Sequence, residues 1–259
     1  MRRFHAGRWP PTGVAAAVAV CCCAVWSDTA QAQALDMDQP EIKAGESELR
    51  SVNILNRGFR AGSAGEPGSS HEVGAGYAFA DWFKAIIHLD VENLIDEELI
   101  ADHIGLEALF ALRAAGEDGG LSLGWYTGAM LSIDPLSTNA LVFGPIVKFA
   151  HGKAAMTLNA YGEETFGRNS DPGLNFLYGW QARYEIVRQV AVGLEGFGKV
   201  ENLASPPAIA DQDHRVGPGI FITWDGDGGR SFGVDAGVLA GLTDASPDMT
   251  FKLNFGVVQ

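Results

Sequence analysis

Apolar and polar residues alternate strictly in segment after segment of this chain. A period of two is the signature of strands with two unlike faces. In "WFKAIIHLDVE", Phe83, Ala85, Ile87, Leu89 and Val91 share one parity, and Lys84, His88, Asp90 and Glu92 share the other. In "HIGLEALFALR", Ile104, Leu106, Ala108, Phe110 and Leu112 oppose His103, Gly105, Glu107 and Arg113. "LNFLYGWQARYE" and "SFGVDAGVLAGL" repeat the pattern, with Arg183 and Glu185 on the polar parity of the first and Asp235 on that of the second. About twelve strands are predicted: 45–55, 71–80, 82–94, 103–114, 121–132, 140–151, 153–166, 174–187, 190–202, 214–224, 231–242 and 249–258. Most reach the roughly nine to eleven residues that a tilted membrane strand needs. A soluble strand usually stops at about five or six. The best short helical candidate, "NLIDEELIADHI" (Asn93 to Ile104), is read as a connection.

The connections alternate in length. Short ones lie near Asp81, at "GEDGG", "HGK", near Arg188 and at "DGDGG"; longer ones are "NRGFRAGSAGEPGSS", Ile95 to Asp102, "DPLSTN", "GRNSDPG", "ASPPAIADQD" and "TDASPD". Successive strands are then antiparallel hairpins with all long loops at one end, as in outer-membrane barrels. Asp-Gly and Gly-Gly pairs suit the positive φ of tight hairpin turns. "GEDGG" and "DGDGG" lack the ligand spacing of an EF-hand.

The chain stops inside an alternating strand, "MTFKLNFGVVQ", where frayed polar residues would be usual. Closure explains this. The last strand seals against the first, "GESELRSVNIL", and removes both sheet edges. The predicted fold is all-β: a closed antiparallel transmembrane barrel of about twelve strands, one domain over 35–259, with both termini on the periplasmic side. A soluble barrel would turn its apolar set inward. Strand length, a polar parity rich in charge and glycine, and aromatics near strand ends (Tyr77, Phe79, Tyr184, Trp224) favour the membrane version.

The front of the chain reads as a cleaved leader over residues 1–34. Arg2, Arg3 and Arg8 precede an apolar run from Gly13 to Trp26, and "AQAQA" supplies a cleavage site after Ala34, with Ala32 as the alternative. The run is short for a membrane span. All three cysteines (Cys21, Cys22, Cys23) fall in the leader, so an exported chain without disulfides must take its stability from a large core or a closed sheet. Removing three of 18 basic and one of 32 acidic residues leaves 15 against 31, a net charge of −16. A nucleic-acid partner would need a basic surface.

"VGLEGFG", "HRVGPGIFI" and "AGVLAGLTDASPDMTFKLNFG" in the C-terminal third resemble the outer-membrane barrel family named for the MetA pathway of phenol degradation. "GLTDASPD" before the last alternating strand is the most specific part. "GESELR" and "HEVGAGYAFADWF" resemble the N-terminal hairpin of that family. The resemblance implies a channel in a Gram-negative outer membrane, with hydrophobic or aromatic small molecules as candidate solutes. The expected partners are outer-membrane lipid, the barrel-assembly machinery that reads the last strand, and a small-molecule solute. The last strand ends in Gln259 where such recognition signals usually carry an aromatic.

With the apolar parity toward lipid, the other parity lines a lumen. It carries Lys84, His88, Asp90, Glu107, Arg113, Lys148, Glu163, Arg183, Glu195, Lys199, Arg215, Asp235 and Lys252. Confined charges must be hydrated or paired. The lining either selects solutes or braces the wall as an ion-pair network. Glycines on the same parity, among them Gly74, Gly105, Gly179 and Gly237, leave a path or admit long side chains. A lipid hydrolase and a barrel without a through-path are the competing classes. No nucleophile elbow is read: the two Gly-x-Ser-x-Gly runs, Gly120 to Gly124 and Gly229 to Gly233, open predicted strands after hairpin turns and do not sit at a strand-to-helix turn; His-Glu-x-x-His is absent, and no cofactor or metal is expected.

Overall fold

The computed structural model describes residues 35–58, 68–93, 99–116, 119–133, 137–167, 170 and 173–259. The leader over 1–34, most of the long loop over 59–67, the first half of the helical candidate (94–98) and parts of the turns near 117, 135, 168 and 171 lie outside the described residues.

Twelve strands follow one another: β1 (Ser47–Arg57), β2 (Ser69–Ala80), β3 (Phe83–Asn93), β4 (Leu99–Arg113), β5 (Gly119–Ser132), β6 (Asn139–His151), β7 (Ala154–Phe166), β8 (Leu174–Val187), β9 (Val190–Val200), β10 (Asp213–Asp225), β11 (Ser231–Gly241) and β12 (Met249–Val258). Each pairs antiparallel with its sequence neighbours, and β1 pairs with β12, so the sheet closes into a barrel. Closure runs to the last residue. The Ser47 N–H donates to Gln259 O (2.8 Å), and the Gln259 N–H donates to Ser47 O (2.9 Å). At the seam the Asn53 amide also donates to Leu253 O. Both neighbours of β12 thus take up its backbone.

Short turns close one end of the barrel and long connections the other; we call these the turn end and the loop end. In "DGDGG", Gly228 (φ 74°) and Gly229 (φ 78°) supply the left-handed residues that the tight turn demands. The largest departure from the pattern reading is at β4. It starts at Leu99, so Leu99 to Asp102 are strand, where the sequence suggested a connection. Asn93 pairs with Leu99 and Glu92 with Ile100, and this pairing overrides the local helical spacing.

The outer surface carries the apolar parity. Leu49, Val73, Ile87, Leu106, Leu158, Leu194, Val238 and Phe251 are all exposed. Aromatic rings gather toward the turn end: Phe79 stacks on Phe83, Phe83 on Phe110 (5.4 Å), and Trp224 on Phe232 (5.4 Å). The interior is not uniformly polar. Ile86, Leu109, Tyr126, Val142, Ile146, Tyr161 and Leu177 form one buried apolar cluster; Leu35, Met37, Val52, Ile54, Phe197 and Leu239 form another.

Candidate functional site

The strands leave one stretch of the described chain unaccounted for. Residues 35–46 alternate only over Leu35 to Asp38 before Pro40 interrupts the pattern, too short a run to extend the wall. They run inside the barrel instead. At the turn end the Ala44 N–H donates to Asp81 Oδ1 (2.8 Å) and the Gly45 N–H to Ala78 O (2.8 Å). From there toward Leu35 the segment climbs the lumen. Lys148 pairs with Glu41 (3.0 Å). The Tyr161 hydroxyl donates to Asp38 Oδ2 (2.8 Å), and the Asn254 amide donates to Asp36 Oδ1 (3.0 Å). With its amide oriented to satisfy both groups, Asn159 accepts the Asp38 N–H (2.8 Å) and donates to Asp38 O (3.2 Å). An irregular segment thereby obtains the backbone partners that a buried strand would take from its neighbours.

Glycines on the inner parity make the room. A Cβ on Gly124 would come 3.0 Å from Pro40 Cβ, and one on Gly179 would come 2.8 Å from the Met37 sulfur. Leu35 (1% exposed) and Met37 (6%) then pack into the second apolar cluster, and Ile42 packs against the first. Above this plug, toward the loop end, a small cleft of about 20 Å³ remains, room for little more than one water molecule. It is lined by Asp36, Val142, Asn159, Tyr161, Leu177, Tyr178 and Gly179.

Ion pairs cover the rest of the lining. On the β1–β4 wall, Arg50 reaches Glu72 (Nε to Oε1, 2.6 Å) and Glu107 (Nη2 to Oε1, 2.7 Å). His88 lies between Glu107 (3.0 Å) and Asp90 (3.4 Å). On the β8–β12 wall, Lys252 Nζ contacts Glu195 (2.6 Å) and Asp235 (3.3 Å), the Gln181 amide donates to Glu195 (2.9 Å), and Arg183 stacks on Phe221 (3.9 Å) within 3.7 Å of Asp235. Nearer the loop end, Arg215 donates from Nε to Asp213 Oδ1 (2.9 Å), keeps Nη2 within 2.8 Å of Asp213 Oδ2 as an ion pair, and donates from Nη1 to Asn56 and Thr250. Charge-assisted hydrogen bonds of this kind are stronger than neutral ones.

No protein-family model matches the sequence, and no curated protein matches it. Among solved structures the chain is similar to the KdgM porin in complex with disordered oligogalacturonate, with a TM-score of 0.51 at 10% identity over 82% of this chain and 97% of that one. It is also similar to the NanC porin (TM-score 0.49, 10% identity, 82% of this chain and 98% of that one). A third neighbour is OprD of Pseudomonas aeruginosa (TM-score 0.41, 9% identity, 82% and 66%). The fold is that of a porin-type barrel.

The structure places the sequence-derived lining residues unequally. His88, Asp90, Glu107, Glu195, Arg215 and Lys252 are buried in the networks above. Lys84 pairs with Glu48 (2.6 Å) and Lys199 with Glu163 (2.9 Å). Lys148 is engaged with the plug, while Arg183 and Asp235 line the far wall. Arg113 is the correction. It sits exposed at the turn end, past a register shift between Ala111 and Arg113, and so lies outside the lumen lining. Pattern reading overlooked Arg50, Glu72 and the three plug carboxylates Asp36, Asp38 and Glu41. Arg50 shares a parity with the inward Val52 and Ile54, and a rule that sends apolar residues outward sorts that strand wrongly. The plug alternates only over Leu35 to Asp38, too short a run to read as a strand.

A serine, an aspartate and a histidine do meet at the loop end, but not as a nucleophile and its base. The Ser137 hydroxyl donates to Asp102, His103 Nδ1 also contacts Asp102, and His103 Nε2 faces the Thr138 carbonyl (2.6 Å). The carboxylate stands in the middle, so no imidazole nitrogen reaches the serine oxygen.

Proposed function

We propose that this chain is an outer-membrane channel for small solutes, shut in the state described by its own N-terminal segment. One observation carries the reading: a closed barrel that exposes Leu, Ile, Val and Phe around its whole outer wall while burying Glu, Asp, Arg, Lys and His inside. Such a distribution is unfavourable in water and suits hydrocarbon outside with a polar lumen within. The resemblance to the MetA-named family supports hydrophobic or aromatic solutes, and Val142, Tyr161 and Leu177 give the cleft an apolar, aromatic lining. The excess of acid in the lumen argues against an anionic solute such as the oligogalacturonate named with the KdgM porin.

Leader cleavage after Ala34 would leave Leu35 as the new terminus inside the barrel, free to slide in or out through the turn end. The test is conductance in a planar bilayer. We compare the chain over 35–259 with one lacking 35–43, which keeps the Ala44 and Gly45 anchors. Rare, brief steps from the first and sustained, larger steps from the second are expected. A truncated barrel that inserts yet carries no current would replace the channel with a structural barrel.

A further inference from the structure

His88 is the least satisfied side chain of the lumen. It is 2% exposed, and neither ring nitrogen makes a hydrogen bond of acceptable geometry. Nδ1 lies 3.0 Å from Glu107 Oε1 and Nε2 lies 3.4 Å from Asp90 Oδ2, both off the direction a hydrogen bond needs. Glu72 Oε2 and Asp90 Oδ1 are also buried without a hydrogen-bond partner among the described residues. One ligand atom each from Glu72, His88 and Asp90 can be chosen so that all lie within 4.8 Å of one another.

Charge sharpens the point. Glu72, Asp90 and Glu107 bring three negative charges, all 8% exposed or less, and Arg50 brings one positive charge. A neutral imidazole leaves the group at −2, and a protonated one at −1. The neighbouring groups toward the loop end do not help: Glu92 and Asp102 are buried acids too, and His103 is taken up by Asp102. Net buried charge of this size is strongly unfavourable, and a divalent cation would cancel it.

The local geometry fits an ion better than a proton. Two ligands about 2.0–2.1 Å from one tetrahedral ion stand roughly 3.4 Å apart, each off the axis of the other's lone pair. His88 Nε2 and Asp90 Oδ2 have that separation and that misalignment. On the other side of the ring, Glu107 Oε1 lies 3.0 Å from Nδ1, close enough to take the hydrogen bond that fixes a ligand's tautomer once the ring turns onto an ion. Arg50 holds Glu72 by Oε1 and leaves Oε2 for the site. The ring itself lies in space that only glycine leaves open, since a Cβ on Gly105 would fall 1.9 Å from His88 Nε2.

We propose that Glu72, His88 and Asp90 bind one divalent transition-metal ion in the barrel wall, with Glu107 orienting the histidine. One imidazole with two carboxylates suits borderline ions of the zinc, manganese and iron(II) class. The ligands come from two adjacent strands and are spaced like any alternating residues, so no linear metal motif announces them.

The experiment uses the refolded chain over 35–259 in detergent, stripped with chelator and then titrated with Zn²⁺. Bound metal is counted by mass spectrometry after desalting, and Co²⁺ absorption serves as a second probe of ligand geometry. One ion per chain is expected. His88→Gln and Asp90→Asn should abolish it, Glu107→Gln should weaken it by ~10–100-fold, and Asp235→Asn on the opposite wall should leave it unchanged. Heat-modifiable migration on gels confirms that each variant is a folded barrel. A wild-type chain that binds no ion, or a folded His88→Gln variant that binds as tightly, overturns the site and leaves a protonated histidine in an ion-pair network.

Discussion

The lumen has two charged walls built from the same residue types, and they solve the same problem differently. On the β8–β12 wall, Arg183 and Lys252 face Glu195 and Asp235, two charges of each sign. On the β1–β4 wall, Arg50 faces Glu72, Asp90 and Glu107, and the imidazole of His88 stands among them. Each wall stores a bulky polar group over a glycine: Glu195 over Gly237 and His88 over Gly105, where an added Cβ would lie 2.2 Å and 1.9 Å away. The backbones are alike, so the difference lies in charge balance. A balanced cluster braces a wall by itself. An unbalanced one of equal burial is waiting for a cation.

The largest expected effect breaks the balanced wall. Lys252 is fully buried on Glu195, and Lys252→Met leaves that carboxylate with no cation in contact. Loss of one partner of a buried pair costs about 3–5 kcal/mol, read as a lower urea midpoint for barrel unfolding. The matched change on the other wall should have the opposite sign. In chelator, Glu72→Gln removes one of three crowded negative charges and keeps an oxygen for Arg50, so it should stabilise the barrel by about 1 kcal/mol. Destabilisation of similar size on both walls would show that the two clusters are equivalent braces.

Gly105→Ala comes next. The new methyl group displaces the imidazole, and overpacking of this kind costs about 1–3 kcal/mol. Its signature is selective: zinc binding should fall with His88 out of place, while Gly237→Ala disturbs Glu195 and leaves zinc binding intact. Equal loss of zinc in both variants would mean that general loosening of the barrel, and not the position of His88, controls the metal.

The two walls were not equally legible in the sequence. Strand order, closure and the terminal strand follow from alternation, because a slip of one residue in β12 would turn Phe251 and Phe255 into the lumen and Lys252 onto the outer surface. Lys252, Glu195 and Asp235 were found by the same rule. Arg50 and Glu72 were not, since β1 and β2 also turn Val52, Ile54 and Ala78 inward against the plug. The plug was invisible for a physical reason. Its course is set by Gly124, Gly179 and Asn159, far away in sequence, and by hydrogen bonds to an irregular backbone that carry no period. Pairing with β3 likewise decided where β4 begins, against the local helical spacing of Leu99 to Asp102.

The smallest effect links the plug to the acidic wall. Asp38 is held by Tyr161 and lies in the field of Glu107, Asp36 and Arg50. Burial pushes its carboxyl up to about 7; Glu107 adds to the rise, and Arg50 offsets part of it. In a withdrawn segment the group returns to its ordinary value of 3.8. The seated plug therefore holds a proton that the withdrawn one releases. Seating is firmest below about pH 4, weakens as pH rises toward 7, and levels off above that, where both forms are ionised. Open probability in the bilayer should accordingly climb between pH 4 and 7 and then flatten. Asp38→Asn cannot ionise, keeps an acceptor for Tyr161, and should stay shut across the range. Zinc on Glu72, His88 and Asp90 would put positive charge near Glu107, favour ionised Asp38 in its seat, and shrink the pH response. A pH response that survives in Asp38→Asn would place the titrating group elsewhere in the lumen, and one unaffected by zinc would uncouple the plug from the acidic wall.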